Sequence, residues 1–224
     1  MTTLALFDLD HTLLPIDSDY EWGRYLVRRG LVDIEAFEAS NAVFFSQYQA
    51  GTLDAAKYLQ FALGTLARFP RTQLNSLHAD FMRDVIIPAL RPSALALVRK
   101  HHEAGDLVVV ATATNRFVTA PIVAAFDVEH LLAAEPEEDG QGNLTGRLLG
   151  TPSMGAGKVL HLNHWLAKSG KVLGSFERSY FYSDSHNDLP LLLLVTDPVA
   201  TNPNAVLTAH AMAHGWPILK LFND

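Results

Sequence analysis

The sequence predicts an α/β protein, in which helices cover both faces of a parallel sheet and an α-helical cap is inserted early in the chain. From residue 91 onward, helical segments alternate with short buried strands, which is the pattern of a parallel sheet. Before that point, one buried strand at residues 4–7 is followed only by helical patterns as far as residue 85. The cap therefore interrupts the sheet between its first strand and its first helix.

This division places residues 1–14 and 86–224 in a discontinuous core, a Rossmann-like parallel sheet, and residues 15–85 in the helical cap. A chain of 224 residues is long enough for one core with a smaller inserted unit. Open parallel sheets bind their ligands outside the carboxyl ends of the strands. We therefore expect a crevice at that edge of the sheet, with the cap above it as a movable lid.

Four helices are predicted in the cap. Pro15 ends the first strand, and Asp17-Ser18-Asp19 offers N-cap chemistry for a helix over residues 20–27. Thr52 is the predicted N-cap of the third helix. We expect the aromatic residues of the cap to form a small core of their own and, at the joint with the sheet, part of a substrate pocket. The other predicted helices cover residues 34–48, 53–67 and 72–87, and the aromatic residues are Trp22, Tyr25, Phe37, Phe44, Phe45, Tyr48, Tyr58, Phe61 and Phe81.

From residue 91 onward, helices and strands alternate along the chain. Glycine, proline and polar clusters separate the segments, and residues 138–143 have the composition of a hairpin turn, which adds one antiparallel strand. The predicted helices cover residues 92–104, 116–126 and 158–168, and the predicted strands cover residues 107–111, 131–134, 180–183 and, as the last, 199–201.

Composition and charge limit the classes of partner. The chain is 49% apolar and 18% charged, as in an ordinary soluble protein, and its formal charge is −7 with Lys and Arg scattered along it. It has no basic stripe for nucleic acid and no polybasic patch for a membrane surface. A small molecule is therefore the expected partner, and the sequence leaves the oligomeric state open.

The absence of cysteine excludes a disulfide framework and a thiolate metal site. The N-terminus lacks the basic and apolar segments of a signal peptide. The longest apolar run, residues 189–195, is far shorter than a membrane span. These features predict a cytoplasmic location.

Two carboxylates follow the first strand directly. Alternation along an extended chain places Asp8 and Asp10 on one side and turns Leu9 away. Two anionic groups so close together repel each other and require a positive partner. A strand that simply ends in two solvated acids is the alternative, and it would need no such partner.

Further polar residues follow later strands or begin helices. Thr112 comes after a buried strand, Lys158 follows a short glycine-containing segment, and Asp184 and Asp188 follow the strand of residues 180–183. Each has an ordinary explanation when taken alone, as a helix cap or a surface lysine. Because the fold brings all of them to one edge of one sheet, together they favour an active site.

In this order, the polar residues resemble the four motifs of the haloacid dehalogenase superfamily of phosphotransferases. The helical insertion after the first motif, together with residues 183–190 and 215–219, resembles the branch that contains phosphoserine phosphatase and related histidinol-phosphate phosphatases. The matching residues are Asp8-x-Asp10-x-Thr12, Thr112, Lys158 and Asp184-x3-Asp188.

The resemblance implies a phosphomonoesterase that acts through an aspartyl phosphate. Asp8 would attack phosphorus, and Asp10 would protonate the leaving alkoxide and then deprotonate the hydrolytic water. Thr112 would hold the phosphate, and Lys158 would tie Asp8 to it. A phosphate monoester is itself anionic, so such a site needs groups that neutralise its charge.

The resemblance also implies Mg²⁺ as the cofactor. The carboxylates of Asp8 and Asp184 and the backbone carbonyl of Asp10 would bind the ion, and Asp188 would support the site. Mg²⁺ is a hard cation that combines such oxygen ligands with substrate phosphate and water.

The substrate is less well indicated than the chemistry. Phosphoserine phosphatase follows its motif hydroxyl with glycines, whereas Ala113, Thr114 and Asn115 follow Thr112 here, which argues against phosphoserine itself. Asp17 occupies the position at which that enzyme places a glutamate against the amine of its substrate. An amine-bearing phosphate is therefore expected, although Asp17 could instead be the N-cap of the first cap helix.

Other residues near the motifs are expected to contact the substrate, namely Thr12, Thr114 and Asn187. Three alternative functions were considered. A dehalogenase would not need the acid Asp10, and a non-catalytic relic would be expected to have lost one of the acids. A phosphotransferase that passes the phosphoryl group to an acceptor other than water remains open.

Overall fold

The structure of the protein is a computed structural model that describes residues 3–222. It confirms the predicted α/β class, since within those residues seven strands form one sheet that is parallel except at one edge. The order across the sheet is β4-β3-β2-β1-β5-β6-β7. The strands are β1 (Thr3–Phe7), β2 (Leu107–Asn115), β3 (His130–Glu138), β4 (Leu144–Leu149), β5 (Arg178–Ser183), β6 (Asp197–Thr201) and β7 (Ile218–Leu219).

Strand β1 lies in the middle of the sheet. Its Phe7 is paired with Val110 of β2 on one side and with Tyr182 of β5 on the other. The chain builds β2 and β3 outward on one side of β1, then returns to build β5 and β6 on the other. The boundary between β1 and β5 is thus a topological switch point, where the loops after two strands diverge and leave a crevice.

The predicted helices are present in the predicted order, with shifts of a few residues at their ends, and helices at residues 189–192 and 205–214 were not predicted. Asp54 accepts the backbone N–H of Lys57 and is the N-cap of the third helix, so the prediction of Thr52 for that role was wrong.

No helix within residues 3–222 has both the length and the apolar character that crossing a membrane requires. The helices are α1 (Ser18–Arg28), α2 (Ile34–Gln49), α3 (Ala55–Leu66), α4 (Arg71–Phe81), α5 (Ile87–Ala89), α6 (Pro92–Glu103), α7 (Arg116–Ala124), α8 (Ala156–Lys168), α9 (Leu189–Leu192) and α10 (Ala205–His214).

Three of the inserted helices, α1, α3 and α4, share a core with the sheet. Trp22 and Phe81 belong to the same buried cluster as Phe7 and Val110. The expected aromatic core of the inserted helices is present only in part, since Phe37 and Phe44 of α2 lie against Phe61 of α3, whereas the apolar faces of α1, α3 and α4 join the core of the sheet. The division into a core and a cap at residues 15–85 stays a prediction.

Several strand boundaries differ from the prediction, and one strand was missed. Strand β2 continues to Asn115 and β3 to Glu138, and the pairing between them shifts register between Ala111 and Asn115. Strand β7 was missed because it has two residues at a sheet edge, too few for a recognisable alternation. The antiparallel hairpin of β3 and β4 was predicted correctly.

Candidate active site

Asp8 lies at the base of the crevice, directly after β1. Its backbone N–H donates to the carbonyl of Tyr182 at 2.9 Å, which extends the pairing of β1 and β5 by one residue. Its side chain is buried, with Oδ1 accepting a hydrogen bond from Lys158 Nζ at 2.8 Å and Oδ2 accepting one from Thr12 Oγ1 at 3.3 Å. Asp8 is therefore fixed in position by its backbone and by both carboxylate oxygens.

Lys158 is the positive group beside Asp8. Only 2% of it is exposed, and its Nζ also donates to Asp188 Oδ2 at 2.7 Å. Burial disfavours the ammonium, but the charges of Asp188 and Asp8 outweigh burial and raise the pKa of Lys158 above its usual value. The lysine is thus charged throughout the physiological range.

The backbone before Lys158 requires a glycine. A Cβ atom on Gly157 would lie 2.0 Å from the carbonyl oxygen of Pro152, which no side chain can tolerate. The close approach of these two backbone segments lets α8 begin where Lys158 reaches the base of the crevice.

Two acids after β5 complete this part of the site. Ser183 Oγ donates to Asp188 Oδ2 at 2.7 Å. Burial raises the pKa of Asp184 well above its usual value, and the charges of Asp8 and Asp188 add to the rise. Burial also raises the pKa of Asp188, although Lys158 opposes the shift. Three buried carboxylates face one ammonium here, so the site has an excess of negative charge.

Thr12 joins the loops after β1 and β5. Its Oγ1 accepts the backbone N–H of Asp184 at 3.0 Å and lies 3.3 Å from Asp8 Oδ2 and 3.4 Å from Asp184 Oδ1, either of which can accept its proton. We predicted that Thr12 contacts the substrate, and the structure places its hydroxyl between the two acids.

The donor set fits Mg²⁺. Within the described part of the chain, no three His, Cys, Asp or Glu side chains are arranged to hold a metal by themselves. Mg²⁺ does not need three, since one or two carboxylates, carbonyl oxygen, substrate phosphate and water usually bind it. The carboxylates of Asp8 and Asp184, with the excess negative charge around them, provide ligands of that kind.

Asp10 is held away from this cluster by two hydrogen bonds. Its Oδ1 accepts the backbone N–H of Ser18 at 2.8 Å, and its Oδ2 accepts the hydroxyl of Thr114 at 2.9 Å. Burial raises the pKa of Asp10 well above its usual value, the charge of Asp17 raises it further, and the hydroxyl and backbone N–H of Ser18 nearby oppose the rise. A carboxyl with a raised pKa can carry the proton that a general acid must supply.

The end of β2 supplies the remaining core residues of the site. Thr112 is buried, and its Oγ1 accepts the backbone N–H of Thr114 at 3.2 Å. Thr114 was predicted to contact the substrate, and its hydroxyl donates to Asp10 Oδ2. Asn187 is half-buried on the other side, with its Nδ2 3.5 Å from the carbonyl oxygen of Tyr48. The structure thus places all of the predicted motif residues at the carboxyl edge of the sheet.

Asp17 is the N-cap of α1. Its Oδ1 accepts the backbone N–H groups of Asp19 at 3.0 Å and Tyr20 at 2.9 Å. Its Oδ2 accepts no hydrogen bond from residues 3–222, and the side chain is half-buried. The capping role is therefore real, yet it leaves one carboxylate oxygen for another contact.

Sequence reasoning missed two tyrosines that reach the site from the inserted helices. Tyr48 of α2 donates its hydroxyl to Ser185 Oγ at 2.9 Å, and burial, followed by the charge of Asp184, raises the pKa of this phenol. Tyr58 of α3 donates its hydroxyl to Asp19 Oδ2 at 2.7 Å. Their signal in the sequence was a hydroxyl group within a set of aromatic residues that we assigned to packing.

Comparison with known proteins identifies the family. The model of the haloacid dehalogenase-like hydrolases matches residues 5–193, which is most of the chain. The chain belongs to this family. The resemblance that the four motifs indicated is thereby confirmed.

Individual relatives of this haloacid dehalogenase-like hydrolase cover nearly its whole length. A histidinol-phosphatase of Neisseria meningitidis serogroup C is 45% identical over 220 residues, which are 98% of this chain and 99% of the relative. A solved protein of unknown function from Bordetella pertussis Tohama I is 50% identical, with a TM-score of 0.94 over 99% of this chain and 100% of that one. The protein is therefore a hydrolase of the phosphatase type.

A more distant structure supports the fold alone. A phosphoserine phosphatase, solved as an analogue of its phospho-aspartyl intermediate, has a TM-score of 0.69 over 100% of this chain and 95% of that one. The two sequences are 17% identical. The sheet and its inserted helices are thus shared at a level of sequence identity that carries no information about the substrate.

Proposed function

We propose that this phosphatase hydrolyses a small, amine-bearing phosphate monoester, such as histidinol phosphate, through an aspartyl-phosphate intermediate and with Mg²⁺ as its cofactor. The observation that carries the proposal is the separation of the two acids after β1. Asp8 is bound to Lys158, whereas Asp10 is held by Ser18 and Thr114 and has a raised pKa. One carboxylate is thus suited to act as a nucleophile and the other as an acid.

The reaction would proceed in two displacements. In the first, an oxygen of Asp8 forms a bond to phosphorus, the ester bond breaks, and Asp10 gives its proton to the departing alkoxide. In the second, Asp10 accepts a proton from water, the water oxygen attacks phosphorus, and the carboxylate of Asp8 leaves. Lys158 and Thr112 would orient the phosphoryl oxygens during both steps.

The cofactor would be bound by Asp8, Asp184 and the backbone carbonyl of Asp10, with Asp188 as a supporting residue. Asp188 contacts Lys158 and Ser183, so its support would act by keeping Lys158 in place. Bound Mg²⁺ supplies positive charge for the phosphoryl oxygens, which the single lysine of the site does not fully neutralise.

The substrate class rests on the relatives and on the leaving-group side of the site. A relative that is 45% identical over nearly the full length is named a histidinol-phosphatase. Asp17 retains an oxygen that accepts no hydrogen bond from the described residues, and an ammonium or imidazolium group would pair with it. Thr12 and Asn187 would contact the substrate, and Thr114 would act through Asp10. A cytoplasmic location stays a prediction.

A substrate panel tests the proposal directly. The protein would be assayed with histidinol phosphate, phosphoserine, sugar phosphates, nucleotides and nitrophenyl phosphate over a titration of Mg²⁺. We expect hydrolysis to depend on the divalent cation, and kcat/KM to be highest for histidinol phosphate. Faster hydrolysis of sugar phosphates or nucleotides than of every amine-bearing phosphate would contradict the proposed substrate class.

Asp17 offers a second test, because asparagine is as good an N-cap as aspartate. Asp17→Asn should therefore retain the capping of α1 while it lowers kcat/KM for histidinol phosphate by about tenfold, as expected for a partly exposed ion pair. Asp17→Ser is a second variant that caps the helix without charge, and it should show the same loss. An unchanged preference for the cationic substrate in both variants would restrict Asp17 to its capping role.

A further inference from the structure

Asp19 is a buried carboxylate that the two displacement steps do not use. It is 8% exposed, and its oxygens accept hydrogen bonds from Tyr58 at 2.7 Å and from Asn115 Nδ2 at 3.3 Å. Within residues 3–222, no lysine, arginine or histidine forms an ion pair with it. A buried carboxylate without a cation is costly, and two neutral donors compensate for that cost only in part.

A buried hydroxyl without a partner lies beside it. Ser18 Oγ is fully buried and forms no hydrogen bond of ordinary geometry within the described residues. The same hydroxyl lies close enough to Asp10 to lower the pKa of that carboxyl. Buried polar atoms are normally satisfied by the protein or by something bound to it. The orphaned hydroxyl therefore leaves hydrogen-bonding capacity at the start of α1, next to Asp10, that the described residues do not use.

The position of the cluster relates it to the leaving group. Lys158 and Asp184 mark the side of Asp8 where the phosphate would lie, whereas Asp10 would face the departing oxygen. Ser18 binds Asp10 through its backbone, and burial together with the charges of Asp19, Asp17 and Asp10 raises the pKa of Tyr58. These three acids therefore lie near one phenol, at the joint between the inserted helices and the sheet, where ligand pockets commonly form.

We propose that Asp19 is a specificity-determining residue, and that its carboxylate pairs with a cationic group, an ammonium or an imidazolium, on the leaving group of the substrate. This inference rests on the proposed function. The ligand would supply the positive charge that the chain does not. Each oxygen of Asp19 has a second lone pair available, and Ser18 Oγ would accept a further N–H of the ligand.

Tyr58 and Asn115 act as positioning residues in this arrangement. They come from different parts of the fold, α3 and the end of β2, and each binds a different oxygen of Asp19. Asn115 is also fixed in turn, because its Oδ1 accepts the backbone N–H of Val118 as the N-cap of α7. The carboxylate is thereby held in one orientation before the substrate arrives, which lowers the entropic cost of pairing.

The experiment compares substrates that differ in charge. The variants Asp19→Asn and Tyr58→Phe, with Asp33→Asn as a matched control at the exposed N-cap of α2, would be assayed with histidinol phosphate, propyl phosphate and nitrophenyl phosphate. We expect Asp19→Asn to lower kcat/KM for histidinol phosphate by about thirtyfold or more, mainly through KM, and to change the two uncharged leaving groups by about threefold at most. Tyr58→Phe should show the same pattern with a smaller loss, and Asp33→Asn should show neither.

Inhibition by the alcohol product gives a readout without turnover. Histidinol should inhibit the wild-type protein competitively, propanol should not, and Asp19→Asn should weaken inhibition by histidinol to the same degree as it raises KM. Equal losses on all three substrates, or an unchanged inhibition constant for histidinol, would overturn the inference and leave Asp19 a structural role. Failure of the proposed function has a different signature, because the wild-type protein would then not prefer histidinol phosphate to propyl phosphate.

Discussion

The two ends of the candidate site are both acidic but are neutralised differently. We call Asp8, Lys158, Asp184 and Asp188 the phosphate end, and Asp10, Asp17 and Asp19 the leaving-group end. At the phosphate end, Lys158 binds two of the three carboxylates. At the leaving-group end, no basic side chain of residues 3–222 forms an ion pair with any carboxylate, and only neutral donors contact them.

The difference reflects what each end has to bind. Every phosphate monoester has the same dianionic group, so the phosphate end needs fixed positive charge and strands that hold it rigidly. The leaving group is the part that varies between substrates, and the inserted helices form that end together with the tip of β2. An unneutralised acidic end is costly to maintain, and under the proposed function it would select for a substrate that carries its own cation.

The largest expected effect comes from the nucleophile. Asp8→Asn replaces a carboxylate by an amide of nearly the same shape, so hydrolysis of every substrate should fall by at least about a thousandfold while the fold is retained. Steady-state rates and circular dichroism would be measured together, with Asp33→Asn as the control. Activity within a few-fold of the wild type would refute the assignment and remove the basis of the comparison between the two ends.

The next effect separates Asp10 from Asp8. Asp10→Asn should slow phosphorylation of the enzyme by about a hundredfold or more with alkyl phosphates, because their alkoxides need a proton, and by much less with nitrophenyl phosphate. Single-turnover kinetics would isolate this step from hydrolysis of the intermediate, in which Asp10 also takes part. A loss that is independent of the leaving group would contradict the role as an acid.

Smaller effects are expected at the residues proposed to bind or support Mg²⁺. Asp184→Ala removes a hard oxygen ligand, so the Mg²⁺ concentration needed for half-maximal activity should rise by about a hundredfold, whereas Asp188→Ala should raise it by about tenfold. Titration with Mg²⁺ at saturating substrate provides the measurement. If both titrations match that of the wild type, the proposed ligand set is incorrect.

The smallest effect concerns stability at the leaving-group end. Burial, with a contribution from Asp17, raises the pKa of Asp19 to about 7 from the usual 3.8 of aspartate. Between those two pH values the folded protein keeps a proton that the unfolded chain has lost, so the free energy of unfolding should fall as the pH rises. Asp19→Asn should flatten this slope and stabilise the protein at pH 8 by the order of 1 kcal/mol or more. Urea unfolding at pH 5 and pH 8 would measure the free energy of unfolding of the wild type and of Asp19→Asn. If this free energy depends on pH in the same way in the two proteins, Asp19 ionises freely in the folded state.

The phosphate end could be predicted from the sequence because its chemistry restricts both residue type and position. Asp8, Lys158 and Asp184 each follow a strand or open a helix, and the topology of a parallel sheet then brings them to one edge. Placing these residues at one edge required no knowledge of how distant segments of the chain pack together. The same reasoning placed Asp10 and Thr112 at the site.

The leaving-group end was only partly predicted. Asp17 was singled out, but the contact between Tyr58 and Asp19 joins residues of two helices whose relative packing is not fixed by the periodicity of either. For the same reason the shared core was missed, since an apolar helix face looks alike whether it packs on other helices or on a sheet. The hydrogen bond from Thr114 to Asp10 was not predicted, because it depends on an irregular end of β2.

The contact between Gly157 and Pro152 has a consequence for how sequences of this kind can vary. Because any Cβ at position 157 would overlap the carbonyl oxygen of Pro152, a substitution there must displace the start of α8 and move Lys158 away from Asp8. The position of Lys158 thus depends on the glycine that precedes it, although that glycine takes no part in the chemistry. During divergence, position 157 should accept replacements only together with a rebuilt loop before α8, and random mutagenesis should find it as intolerant as the lysine itself.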